Sequence, residues 1–174
     1  MEMQTFAKTN KGYRYLLMVI DIFSKYGWIV PLKTKTGVAV TDAFRAIFKE
    51  GRVPSKLWTD KGKEFYNKIL KNVLQKNNVH LYSTENEEKS TVVERWNRTI
   101  KHIMWKYFSA NNTHKYIDIL PALVAKYNRT YHRSIKCTPT EASKPENSAK
   151  VFQALYGNTS LLKKIPKYKV GDEV

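Results

Sequence analysis

The segment YRYLLMVIDIF, residues 13–23, is almost continuously apolar and carries β-branched side chains near its end. A run without polar alternation, followed by the turn-forming Ser24-Lys25-Tyr26-Gly27, predicts a central strand buried on both faces. Outward from it, WIVPL (28–32) predicts a second strand, with Pro31 tolerable near an edge. Thr36-Gly37 opens a helix that places Val40, Phe44, Ile47 and Phe48 at helical spacing and ends at Gly51. KLWT (56–59) predicts a short strand. A helix over 64–77 would turn Phe65, Ile69, Val73 and Leu74 inward, and another short strand covers 80–83. The polar stretch STENEEKST (83–91) reads as a loop before a long helix over 92–108. A helical region over 113–131 is split or kinked by Pro121. Thr138-Pro139-Thr140-Glu141 has the form of a capping box, and a last helix covers 148–156. This order predicts an α/β fold, a mixed sheet with helices over its faces.

Composition narrows the function classes. Hydrophobic residues make up 42% of 174, with only 7 Gly and 6 Pro, which argues against disordered, collagenous and low-complexity chains. No apolar run approaches a membrane span, and the N-terminus lacks the apolar stretch of a signal peptide, so a soluble, intracellular protein is expected. One Cys and 4 His, scattered, give no zinc pattern. Lys and Arg number 31 against 15 Asp and Glu, a net charge of +16, which makes nucleic acid the leading partner. The charge is uneven. Residues 89–136 hold ten basic side chains and two acids, Glu94 and Asp118, which suggests one basic face.

In so basic a chain the carboxylates stand out. Phosphodiester chemistry commonly uses two divalent ions held by Asp and Glu converging from different elements. Asp60 closes a strand beside Lys61-Gly62-Lys63, where an acid can face a ligand or can shape its own turn. Glu94 sits in the first turn of the long helix, where it can cap the helix with Thr91 or lead the row Arg98 and Lys101 that follows at i+4 and i+7. Val93, Trp96, Ile100, Ile103 and Tyr107 form the opposing apolar face. Asp21, at the end of the long strand, is read as ordering the Ser24-Lys25 turn in preference to binding a metal. Lys61, Lys63, Lys89 and Arg95 flank the two acids and are candidate DNA contacts. Trp96, Tyr127 and Tyr131 are assigned to the core, and His132 and Cys137 to structural roles.

Together VIDIFSKY (19–26), LWTDKGKEF (57–65) and VVERWNRTIK (92–101), with YNRTYHR (127–133) and TPTEA (138–142), resemble the catalytic core of retroviral and retrotransposon-type integrases. Those enzymes are ribonuclease H-like polynucleotidyl transferases. The wording is nearest to integrases of large eukaryotic DNA transposons of the Maverick/Polinton type and genes derived from them. The resemblance implies a ribonuclease H-like mixed β-sheet flanked by helices over 1–145. Residues 146–174 would form a basic helix and linker leading into the start of a small SH3-like module. It implies that Asp60 and Glu94 are the second and third members of a catalytic D,D,E triad that binds Mg²⁺ or Mn²⁺. It makes Arg98, Lys101 and Glu64 contacts to DNA, and 83–91 the active-site loop. The partners would be element ends and target DNA, handled by a homo-oligomer in the nucleus.

One departure has a physical consequence. Aligned with the family's first strand, Met1–Gln4 puts the first triad Asp a couple of residues before Met1, so the first strand is truncated. That Asp normally bridges both metals, and without it the repulsion between two dications is uncompensated. The chain as written is therefore expected to be impaired in DNA strand transfer. A DNA-binding remnant without catalysis, or a domesticated protein, is the alternative, and a nuclease acting on RNA–DNA hybrids is a weaker third.

Overall fold

The computed structural model describes residues 1–83 and 91–157. Strand β1 (Tyr15–Ile20) pairs antiparallel with β2 (Gly27–Leu32) in the register Tyr15 to Leu32. The turn between them is ordered by Asp21, whose carboxylate accepts from the Phe23 and Ser24 amides and the Ser24 hydroxyl. Helix α1 (Gly37–Lys49) starts at Thr36, whose hydroxyl accepts from the Ala39 amide, and stops at Gly51, where φ is +83°. Strand β3 (Lys56–Trp58) and strand β4 (His80–Tyr82) are parallel and flank α2 (Lys68–Lys76). Then come α3 (Thr91–Asn111), α4 (Leu120–Asn128), the short α5 (Pro139–Ala142) and α6 (Ser148–Tyr156). Pro121 occupies the first turn of α4, and the Thr138–Glu141 capping box is present in both directions.

Four expectations are corrected. The segment 64–77 is helical only from Lys68, because Asn67 accepts from the Leu70 amide as the cap while Gly62–Tyr66 makes a turn. The shift rotates the helix, so Leu70 is fully buried and Ile69 is exposed. The buried stripe of α3 is Trp96, Ile100, Met104 and Phe108, with Val93, Ile103 and Tyr107 only half-buried at its margins. Tyr131, assigned to the core, is 62% exposed, because α4 has already ended at Asn128. Thr91 lies within α3 rather than capping it. Lys89, most of the loop over 83–91 and the expected SH3-like start lie outside the described residues.

Among the described residues the four strands form two two-stranded sheets instead of one continuous sheet. One apolar core packs β1 against α3 and α4, centred on Leu16, Trp96, Ile100, Met104 and Tyr116. A second packs the other face against α1 and α2, through Leu17, Phe44, Leu57, Leu70 and Leu74. A third cluster, Ile135, Ala142 and Val151, seats α5 and α6 beside Phe23.

Buried polar side chains tie distant segments together. Asn10, fully buried, donates to the carbonyls of Phe6 and His114 and accepts from the amides of Tyr116 and Ile117. Asn128 accepts from the Gly27 amide and donates to the Gly27 carbonyl, each at 2.9 Å, locking the end of α4 to the start of β2. Gly27 has no room for a side chain, since an added Cβ would lie 2.5 Å from the Trp96 ring. Gly27→Ala is expected to destabilise the chain by about 1–3 kcal/mol, and Asn128→Ala by about 2 kcal/mol or more, measured by urea unfolding. Burial also pushes the Tyr127 phenol up to about 12. A raised acid pKa keeps the folded state protonated, so its contribution is whole below a pH of about 10 and is lost towards about 12. Tyr127→Phe should flatten the loss of stability across that window.

Candidate functional site

Between the two sheets lies a cleft of about 600 Å³. Its walls are β1 from Leu16 to Ile20, the end of β3 from Leu57 to Asp60, and the first turns of α3 with Val93, Glu94 and Asn97. Met1, Glu2, Lys35 and Glu64 also line it. Asp60 and Glu94, read from sequence as a pair, thus meet at one cleft although they come from a strand end and a helix start.

Local chemistry orients the acids. Asp60 accepts from the Gly62 amide at 3.1 Å, so it does shape its own turn while still lining the cleft. Glu64 is held by Lys35 at 3.4 Å, and Lys35 also lies 3.8 Å from Glu2. Gly62 fits between two carboxylates, because an added Cβ would meet Glu64 Oε2 at 2.5 Å and Asp60 Oδ1 at 3.0 Å.

Two buried oxygens along the cleft, Thr59 Oγ1 and Asn97 Oδ1, have no hydrogen-bond partner among the described residues. Leaving such an atom unsatisfied costs about 1–3 kcal/mol, so both favour an occupant that offers donors or a cation. Sequence reading missed Lys35, Thr59 and Asn97. Asn97 alone had a signal, its i+3 spacing from Glu94 on one helix face.

Charge is arranged around this cleft unevenly. Arg98 and Lys101 are exposed on α3 in the row led by Glu94, and Lys61 and Lys63 are exposed in the turn after Asp60. Arg95 is not at the cleft. It lines a separate pocket with Lys25 and His132.

The cleft contains hard oxygen donors of the kind Mg²⁺ prefers. The donor chemistry fits a divalent ion, but among the described residues no group of three His, Cys, Asp or Glu side chains comes together to hold one. No helix among the described residues is long and apolar enough to cross a membrane.

The main chain adds a constraint. Met1 and Leu16 exchange both backbone hydrogen bonds, at 2.8 and 2.9 Å, and the Met3 amide donates to the Arg14 carbonyl at 2.8 Å. Glu2 bridges Tyr15 in antiparallel register. Met1–Met3 therefore forms the first rungs of a strand along the edge of β1 that β2 does not use. By alternation, Met18 presents the next N–H and C=O to the cleft. Met1 and Met3 pack on the core beneath α3, so side chains two apart along that strand face α3.

Comparison with known proteins agrees with this architecture. Residues 2–88, half the chain, match the family described as integrase core domain. A putative uncharacterized transposon-derived protein of Caenorhabditis elegans is 34% identical over 180 residues, covering 99% of this chain and 58% of its own length. The Pol polyprotein of a radiation murine leukemia virus is 32% identical over 68% of this chain and 21% of the polyprotein. The chain thus spans less than two thirds of each of these relatives.

Two solved structures share the fold. The HTLV-2 integrase catalytic core, solved with magnesium in a trimeric form, superposes with a TM-score of 0.66 at 19% identity, covering 76% of this chain and 86% of that one. The BIV integrase catalytic core gives 0.65 at 16% identity, covering 78% and 88%.

Gly62→Ala is expected to displace the Asp60 and Glu64 carboxylates together. Carbon-detected NMR should show both carboxyl resonances moving and that of Glu94 unmoved, with the melting temperature within a few degrees of the parent. The fold, the paired acids at its cleft and the match over residues 2–88 agree on one assignment: the chain belongs to the integrase core domain family, with a ribonuclease H-like architecture.

Proposed function

We propose that this chain is the core of a DNA strand-transfer enzyme of the large eukaryotic DNA transposon (Maverick/Polinton) type, with Asp60 and Glu94 as metal-binding carboxylates. The observation that carries the reading is that both acids line the cleft along which Met1–Met3 begins a strand. Continued towards the amino side in the same register, that strand brings the position two residues before Met1 opposite Met18. The side chain there shares the face of Met1 and Met3, towards α3 and Glu94. An aspartate at that position completes the set of three. A relative solved with magnesium, the HTLV-2 core, supports Mg²⁺ or Mn²⁺ as the cofactor.

When bound, a pair of divalent ions supplies activation of a DNA 3′-hydroxyl and stabilisation of the leaving oxygen. The chain's own residues bind and orient. Asp60 and Glu94 provide the oxygens, and Gly62 holds Asp60 in place through its amide. Arg98 and Lys101 along α3, with Lys61 and Lys63 beside Asp60, hold the phosphate backbone, and Lys35 restrains Glu64 at the edge where DNA passes. Lys89 belongs to the same basic set by its place in the sequence. The enzyme acts in the nucleus as a homo-oligomer on two DNA ends; relatives solved as a trimer and as an intasome support an assembly.

Among the described residues no three His, Cys, Asp or Glu side chains come together to hold a metal, which favours a second reading, a DNA-binding module without catalysis. A strand-transfer assay with Mn²⁺ or Mg²⁺ and a recessed-end duplex separates the two. The chain extended by a short strand with Asp two residues before Met1 should join DNA, and Asp60→Asn in that background should abolish joining. The unextended chain should bind without joining. Failure of all forms to join, with binding intact, selects the second reading. In both, binding should fall with salt at a log–log slope of roughly −3 to −5, from about four phosphate contacts.

A further inference from the structure

Beside Trp96, at the first turns of α3, a second pocket of about 390 Å³ has a different chemistry. Three basic side chains reach it from three elements, Lys25 from the β1–β2 turn, Arg95 from the first turns of α3 and His132 from the loop after α4, beside the phenols of Tyr127 and Tyr131. No carboxylate is among the described residues that line it. The nearest acid acting on Lys25 is Asp21, whose oxygens already accept from two amides and the Ser24 hydroxyl.

The groups feel one another. The His132 imidazole is pushed below its ordinary value by burial, and further by Lys25 and Arg95. Lys25 is pushed down by burial as well; Asp21 opposes this and Arg95 adds to it. Like charges gathered in a half-buried site are mutually destabilising unless an anion joins them. The pocket also lies at the amino end of the 21-residue α3, the positive end of the helix dipole, with Thr91 and Val92 on its wall. Its wall includes Trp96, 1% exposed, whose Nε1 donor has no acceptor among the described residues.

We propose that the Lys25–Arg95–His132 pocket is a phosphate-binding site that takes the terminal phosphate of a DNA strand. A terminal phosphate carries close to two negative charges at neutral pH, where an internal diester carries one. It thus suits a site with two permanent cations and an imidazole that can add a third. Arg95 supplies the forked donor set that matches phosphate oxygens. Glu94 and Arg95 are consecutive on α3, so the cleft and this pocket open on different faces of a single helical turn. The identity of the phosphate as a DNA end rests on the DNA-binding reading above; the anion site itself does not.

The test reads the His132 ring by NMR, with inorganic phosphate as the first probe and chloride at matched ionic strength as the control. Phosphate should raise the His132 pKa by about half a unit or more, and Lys25→Gln or the exposed Arg95→Gln should remove the rise while leaving the folded spectrum intact. A His132 titration that phosphate does not move in the folded parent overturns the site. In the second arm, a duplex with a 5′-phosphate should bind several-fold tighter than the same duplex with a 5′-hydroxyl, and Arg95→Gln should erase the difference. Equal binding of the two duplexes, with His132 still answering inorganic phosphate, overturns the DNA end as the source. Loss of all duplex binding with His132 still responding counts against the proposed function and leaves the anion site standing.

Discussion

The contact on which the rest depends is the seating of Trp96 against Gly27. The indole is almost wholly buried, lies on a backbone that leaves no room for a Cβ, and packs against Tyr127 with ring centres 4.1 Å apart. Asn128 then clamps both main-chain groups of Gly27. One side chain of α3 is thereby tied to β2 and α4 at once, which fixes the rotation of the helix about its own axis. A helix so fixed must present its neighbouring residues in set directions.

That constraint sorts the charged residues of α3. Glu94 opens on the cleft between the sheets and Arg95 on the pocket behind it, while Arg98 and Lys101 continue along the exposed side. A basic chain with net charge +16 thus has Asp60 and Glu94 lining one cavity and Lys25, Arg95 and His132 lining another. β3 bonds β4, while β1 bonds β2 on one edge and the short Met1–Met3 segment on the other, so the cleft runs along β1 beyond Met1. Buried strand edges and orphaned oxygens such as Thr59 Oγ1 are costly.

Local signals were legible in the sequence. Thr36 and Gly51 bound α1, the Thr138–Glu141 box starts α5, and Asp21 orders its turn, because each acts within a few residues. So were Asp60 and Glu94 as cleft residues, through their positions at a strand end and a helix start. Other features depended on contacts between distant segments. The beginning of α2 turned on whether Asn67 or Glu64 lay at the helix boundary, and that choice exchanged Ile69 for Leu70 in the core. Lys35 meets Glu64 only through tertiary folding, and Lys25, Arg95 and His132 come from three elements. No periodicity encodes such meetings. Tyr131 looked apolar enough for the core and lies outside it, just beyond the end of a helix.

The central claim is that Met1–Met3 sets a strand register along β1 that carries on to Met18. Amide hydrogen exchange at Met18 tests it directly, comparing the chain as given with a form extended at its amino end. The account predicts that the Met18 amide, which faces the cleft and has no strand opposite it here, becomes protected by at least about 100-fold on extension. Leu17 and Val19, which face β2, should change little. An extended chain in which Met18 exchanges as fast as before would contradict the account.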